Sequence, residues 1–169
     1  MEKMMKLLLL LLLSTSVMFA KYDVGQKAYN FYLPQLMEKG SYGMKTYNNR
    51  LILLNLWASW CDGCKKEMPL FDTIGKKFSS KKFRLVTINV DNKRSKGVKF
   101  VKKLRKKLGH KPHMAFFYDK KKSTAKAYRA SGFPLSILIK NGKIIKRYVG
   151  SFDESNEKQL IKDIQRQLR

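Results

Sequence analysis

The amino-acid sequence predicts an α/β domain, and three observations carry that expectation. Leu51-Ile52-Leu53-Leu54-Asn55-Leu56-Trp57 is a near-continuous apolar run, the pattern of a strand buried on both faces, and Phe83 to Val90 reads as the next buried strand. Apolar side chains at helical spacing follow each run: Met68, Phe71, Ile74 and Phe78 after the first, then Val98, Val101, Leu104 and Leu108. Asn141-Gly142, between Leu135–Ile139 and Ile144–Val149, is the strongest short hairpin signal available, because both residues tolerate positive φ.

Taken in chain order, Tyr29 to Leu33 reads as a short edge strand that Pro34 ends, since proline cannot donate to a ladder. Gly40 to Asn49, rich in Gly, Tyr and Asn, reads as a loop or hairpin leading into the strand at Leu51. A helix is expected from about Cys61, with Pro69 kinking it. After the strand at Phe83 comes a basic amphipathic helix from about Lys96 to Leu108, then a strand at Met114 to Tyr118. Thr124 to Tyr128 makes one or two helical turns, and the hairpin follows. A terminal helix sets Leu160, Ile161, Ile164 and Leu168 on one stripe, with Asp153 or Ser155 as its cap.

A chain of 169 residues makes one domain and buries a core without disulfide stapling, which leaves its two cysteines free for chemistry. Lys3 and Lys6 precede the apolar run Leu7 to Leu13, and Ser14-Thr15-Ser16 and Ala20 follow, the layout of a secretory signal. Residues 1–20 are therefore read as a signal peptide or an uncleaved anchor, and residues 21–169 as the exported domain. In an exported compartment disulfides persist, so a dithiol there depends on a partner that sets its redox state.

The net charge of +25 is carried mainly by lysine, and it becomes +24 without residues 1–20, where Lys3 and Lys6 stand against Glu2. Its densest run, Lys93 to Lys107, interleaves with the apolar stripe of the basic helix and is mostly a solvated face. With Phe100 as the lone aromatic in that run and an exported address, nucleic acid is not expected as a partner. Anionic lipid headgroups or acidic proteins are, through contacts that salt weakens.

The chemistry concentrates in Trp57-Ala58-Ser59-Trp60-Cys61-Asp62-Gly63-Cys64-Lys65-Lys66-Glu67-Met68-Pro69, where a strand gives way to a helix. A sulfur at a helix start meets free N–H groups and the positive dipole end, which stabilise a thiolate. Cys61 is then the nucleophile, and Cys64 the thiol that resolves a mixed disulfide. A structural staple closing so short a loop would constrain the unfolded chain little. Half a zinc site would need two further ligands at metal spacing, and only His110 and His113 exist, far along the chain, so no metal is expected. Asp62 adds negative charge beside the Cys61 thiolate, opposing ionisation and favouring the disulfide, while Lys65 and Lys66 pull the other way.

These letters resemble the thioredoxin superfamily, and more narrowly its TlpA/ResA/CcmG-like extracytoplasmic branch, over roughly Asp23 to the C-terminus. Three blocks in the right order carry the resemblance. Val24-Gly25-Gln26-Lys27-Ala28 with Phe31-Tyr32-Leu33-Pro34 is similar to the branch's entry segment, and Trp57 to Pro69 to its active-site block. Gly132-Phe133-Pro134, leading into Ile137 to Lys143, is similar to its cis-proline strand and hairpin. Asp62-Gly63 departs from the Gly-Pro that thioredoxins commonly carry there.

The resemblance implies a thioredoxin-like fold with an N-terminal extension, a central mixed β-sheet and helices on both faces. It implies Glu67, one helical turn past Cys64, as the group that takes the proton when Cys64 attacks, since Asn55 stands where thioredoxins have an ionisable aspartate. Trp60, Phe133 and Pro134 become the substrate-binding residues, Pro134 as a cis-proline leaving the Phe133 backbone open to a client strand. The implied activity is that of an exported thiol:disulfide oxidoreductase, with no cofactor beyond the Cys61–Cys64 disulfide. Reduction of protein disulfides is the first reading, with apocytochrome c among the cysteine-containing clients and a membrane electron donor upstream. The other readings are a disulfide-forming oxidant of the same fold and a copper-binding chaperone using Cys61, Cys64 and His113.

Overall fold

The structure is a computed structural model, which describes residues 23–78 and 81–169; the expected signal or anchor at residues 1–20 lies outside the described residues. The elements run β1 (Tyr32–Pro34), β2 (Ser41–Gly43), a 3₁₀ turn (Met44–Tyr47), β3 (Leu51–Trp57), α1 (Asp62–Phe78) and β4 (Phe83–Asn89). There follow α2 (Arg94–Leu108), β5 (Ala115–Tyr118), α3 (Ser123–Ala127), β6 (Leu135–Lys140), β7 (Lys143–Val149) and α4 (Glu157–Leu168). Among the described residues no helix is long and apolar enough to cross a membrane.

Five strands form one mixed sheet in the order β5-β4-β3-β6-β7. β3, β4 and β5 are parallel, whereas β6 and β7 are antiparallel to their neighbours. β3 lies at the centre, which is why all seven of its residues are buried and why its sequence does not alternate. The parallel strands step in one direction, so two right-handed crossovers place α1 and α2 on the same face. β7 shows where α4 lies. Lys146 and Tyr148 donate to Asp163 of α4, while Arg147 between them reaches the Tyr128 carbonyl beyond α3. Successive side chains on a strand point to opposite faces, so α3 and α4 cover different sides.

The register joins these observations. Tyr148 pairs with Ser136 and Ser136 with Asn55, and Asn55 meets Glu67 of α1, so α4 shares the face of α1 and α2. Helices do cover both faces, but unequally: three long ones on one side, and short α3 on the other beside the N-terminal segment. Phe31 and Tyr47 of that segment pack on Phe117, on the face opposite Phe116 and Trp57. Its ends also pair with both sheet edges, through Ala28 N–H to the Gly142 carbonyl beside β7 and Leu36 N–H to the Phe116 carbonyl on β5, both at 2.8 Å. These contacts cover the start of β7 and part of β5, and shorten the sheet edges left open to another chain.

Several boundaries differ from those expected. The first strand starts at Tyr32 and includes Pro34, which an edge position allows, and Gly40 to Asn49 resolves into strand β2 and a 3₁₀ turn. α1 is assigned as one helix through Pro69. Asn156, rather than Asp153 or Ser155, holds the position before α4, and its side chain makes no capping bond to the helix; the Asp153 carboxylate accepts from the Ser155 N–H and hydroxyl, organising the turn before the helix. Asn141 and Gly142 take φ of 52° and 71°, the positive pair that their hairpin requires.

Candidate active site

β3 delivers the chain to the C-terminal edge of the sheet, where Cys61 immediately precedes α1. Cys61 and Cys64 are joined as a disulfide, with Cα atoms 5.3 Å apart. Cys61 occupies the position that caps the helix. Its carbonyl accepts the Lys65 N–H, and its sulfur accepts the Cys64 N–H at 3.1 Å. A sulfur placed there receives the free N–H groups and the dipole that favour a thiolate once the bond is reduced. Cys64 is wholly buried and Cys61 keeps a sliver of exposure, at 7%, so an incoming sulfur reaches Cys61 first. Asp62 forms an ion pair with Lys65 at 2.5 Å, and that ammonium holds the Asp62 carboxyl below its usual range. The two charges flanking the dithiol thus offset one another, both at the surface.

Glu67 is not a surface charge. It is 1% exposed on the inner side of α1, accepting from Asn55 Nδ2 at 3.0 Å and from the Phe152 N–H at 3.2 Å. Burial pushes its pKa up to about 8, against the two hydrogen bonds, which pull it down. Asn55 Nδ2 also donates to Ser136 Oγ at 3.0 Å, while its Oδ1 is buried without a partner. Turned over, the same amide would accept from a protonated Glu67 and from the Ser136 hydroxyl, so it can serve either state of the carboxyl. Ser136 and Phe152 are the members of this cluster that sequence reasoning missed. A lone serine within Leu135 to Ile139, on the strand that pairs with Asn55, is the signal for the first; the backbone N–H of Phe152 has none.

The rim of the site is aromatic. Trp60 is 62% exposed and meets Phe133 edge-on, with ring centroids 5.9 Å apart. The Phe133–Pro134 bond is cis, and Pro134 is buried at the start of β6. A Cβ on Gly63 would stand a tight 3.2 Å from Ser151 Oγ and at ordinary contact distance, 3.6 Å, from Pro134 Cδ, so the dithiol turn lies against both Ser151 and the proline loop. Trp57 is fully buried and packs on Phe100 and Phe116 beneath the turn.

His113 does not join this site. Its ring and its backbone N–H both engage Asp72, two helical turns along α1 from Cys64, and His110 bonds the same carboxylate. The fold therefore brings Cys61, Cys64, Glu67, Trp60, Phe133 and Pro134 to one end of the sheet and leaves the histidine of the copper reading elsewhere.

Comparison with known proteins agrees with this geometry. The family model described as Redoxin matches residues 23–164. A thiol-disulfide oxidoreductase ResA from Bacillus cereus is 27% identical over 170 residues, covering 94% of each chain. A protein from Chlorobium tepidum assigned as thiol:disulfide interchange protein DsbE superposes with a TM-score of 0.77 at 29% identity, over 88% of this chain and 99% of its own. The thioredoxin domain of a Bacteroides vulgatus thiol-disulfide oxidoreductase, at 18% identity and a TM-score of 0.71, shares the fold. The chain belongs to the Redoxin family within the thioredoxin superfamily, as a ResA/CcmG-like thiol:disulfide oxidoreductase bearing a Cys61–Cys64 disulfide.

Proposed function

We propose that the chain is an extracytoplasmic reductase of protein disulfides, and that paired cysteines of the kind found in apocytochrome c haem-attachment motifs are among its substrates. The observation that carries this reading is the buried Glu67 carboxyl one turn beyond the resolving cysteine, with a pKa near the operating range of a proton carrier. In the first step the Cys61 thiolate attacks a client disulfide, forming a mixed disulfide and releasing one client thiolate. In the second, Glu67 accepts the Cys64 proton. The Cys64 sulfur then attacks Cys61 Sγ, forming the intramolecular disulfide and releasing the second client thiolate. Two electrons pass to the client, and a membrane electron donor restores the dithiol.

Trp60 and Phe133 form the apolar lip on which a client segment rests, and the Phe133 backbone before Pro134 is available to pair with it. The N-terminal signal or anchor and the ResA and DsbE names of the relatives support the exported address. A disulfide-forming oxidant would use the same residues with opposite flux. Neither flanking carboxyl sets the direction of flux, because Lys65 offsets Asp62 and burial keeps Glu67 largely protonated near neutral pH; the likeness to the ResA/CcmG-like branch is what supports the reductant reading. Trapping tests the order of attack: Cys64→Ser accumulates a mixed disulfide with a peptide client, and Cys61→Ser accumulates none. The reverse outcome would exchange the roles of the two cysteines.

A further inference from the structure

On the side of α1 away from the dithiol, three ligating side chains converge that the redox chemistry does not use. Asp72 is buried, with its carboxylate 7% exposed. Its Oδ2 lies 2.8 Å from His110 Nε2, its Oδ1 lies 3.1 Å from His113 Nδ1, and all three ligand atoms fall within 4.8 Å of one another. The imidazole rings stand 5.3 Å apart, centroid to centroid, and are 43% and 36% exposed, so solvent reaches the point on which they converge.

We propose that Asp72, His110 and His113 bind a divalent transition ion of the Zn²⁺ class, as a site separate from Cys61 and Cys64. In a tetrahedral site with ligand bonds of about 2.0 Å, neighbouring ligand atoms stand roughly 3.3 Å apart. Each imidazole nitrogen already stands near that distance from one oxygen of the Asp72 carboxylate, His110 from Oδ2 and His113 from Oδ1, so both rings reach a shared ion through a modest shift that keeps all three ligand atoms inside their present 4.8 Å spread. Two imidazole nitrogens and one carboxylate suit Zn²⁺, Ni²⁺ or Cu²⁺, whereas Ca²⁺ and Mg²⁺ select all-oxygen sets. The exposed side leaves room for water as the fourth ligand.

The site is also held in shape before any ion arrives. The His113 N–H donates to Asp72 Oδ1 at 2.7 Å, orienting the carboxylate from behind. Gly75, one turn along α1, lets the histidine loop press onto the helix, since a Cβ there would stand 2.1 Å from the His113 carbonyl oxygen. Lys111, between the histidines, is drawn off by Glu38 at 2.5 Å and does not compete for Asp72. A net charge of +25 repels cations at long range, so affinity must come from direct coordination, and salt that screens the repulsion should not weaken it. A bound ion would cross-link α1 to the loop between α2 and β5.

The experiment uses the untagged full chain in its oxidised form, where both cysteines are in the disulfide and cannot compete. Zn²⁺ is titrated calorimetrically at micromolar protein, and Co²⁺ is added as a spectroscopic probe. The expected result is one ion per chain, a tetrahedral cobalt spectrum, and a melting temperature raised by Zn²⁺. His110→Gln and His113→Gln should each weaken binding at least roughly tenfold, no less than losing an outer partner costs. Both rings are partly exposed, so these variants keep the test readable if Asp72→Asn fails to fold. Absence of stoichiometric binding, or affinity unchanged in His110→Gln, would overturn the proposal.

Discussion

Glu67 carries more than one consequence at the scale of single residues. Its folded pKa of about 8 lies above the ordinary 4.5, so between those values the unfolded chain has released a proton that the folded chain keeps. Stability is then greatest below the ordinary value and falls as pH rises through the folded one, by up to about 1.4 kcal/mol per pH unit. Glu67→Gln should flatten that slope, read by urea unfolding at mildly acidic and mildly alkaline pH. A slope shared by both proteins would mean the carboxyl ionises normally in the fold. The same substitution removes the proton acceptor and should slow resolution of the mixed disulfide by roughly 10²-fold, measured by stopped-flow with a peptide disulfide. Sequence reasoning placed Glu67 on the face of Cys64 through helical spacing. Its burial against Asn55 and Phe152 was not legible, because that depends on how β3, β6 and the segment after β7 meet.

Among the elements, α1 joins the two ends of the molecule, with the dithiol at its start and Asp72 and Gly75 farther along. Gly75→Ala improves intrinsic helix propensity by about 1 kcal/mol, yet its Cβ must displace a backbone carbonyl. Overpacking costs of about 1–3 kcal/mol should dominate, giving net destabilisation in thermal melts. A stabilised variant would show that the histidine loop is not pressed onto the helix. On α4, Asp163 is buried beneath Lys146, Tyr148 and Arg166; burial alone would raise its pKa, and the hydrogen bonds it accepts outweigh that and lower it. Asp163→Ala leaves the half-buried Tyr148 hydroxyl without its acceptor and should cost about 1 kcal/mol, read by urea unfolding, since water meets part of that lost bond.

The long elements were legible because apolar runs and stripes state their burial directly, as in Leu51–Trp57 or Met68, Phe71 and Ile74. The short ones were not. β1 pairs with β2 over three residues whose register depends on packing against β5, and the cap of α4 depends on a turn that Asp153 makes with Ser155. The meeting of Asp72 with His110 and His113 spans separations of 38 and 41 residues, which no local pattern reveals.

At the scale of the whole molecule, charge and topology bear on function together. Between α1 and α2, next to the dithiol turn, a groove of about 450 Å³ has Pro69, Phe100 and Leu104 among its lining and Lys65, Lys96, Lys99, Lys103 and Lys107 about it. A +25 chain with such a rim should draw acidic clients by long-range steering. Reduction of an acidic peptide disulfide should therefore slow several-fold between about 20 mM and about 200 mM salt, while a neutral peptide changes little. Equal salt dependence for both would leave the charge without a role in client capture. The direction of electron flow decides whether the protein reduces or forms disulfides, and the equilibrium reduction potential of the Cys61–Cys64 pair measures it most directly. A value close to thioredoxin's, about −270 mV, is the predicted result, whereas one near that of the oxidant DsbA, about −120 mV, would contradict the assignment as a reductase.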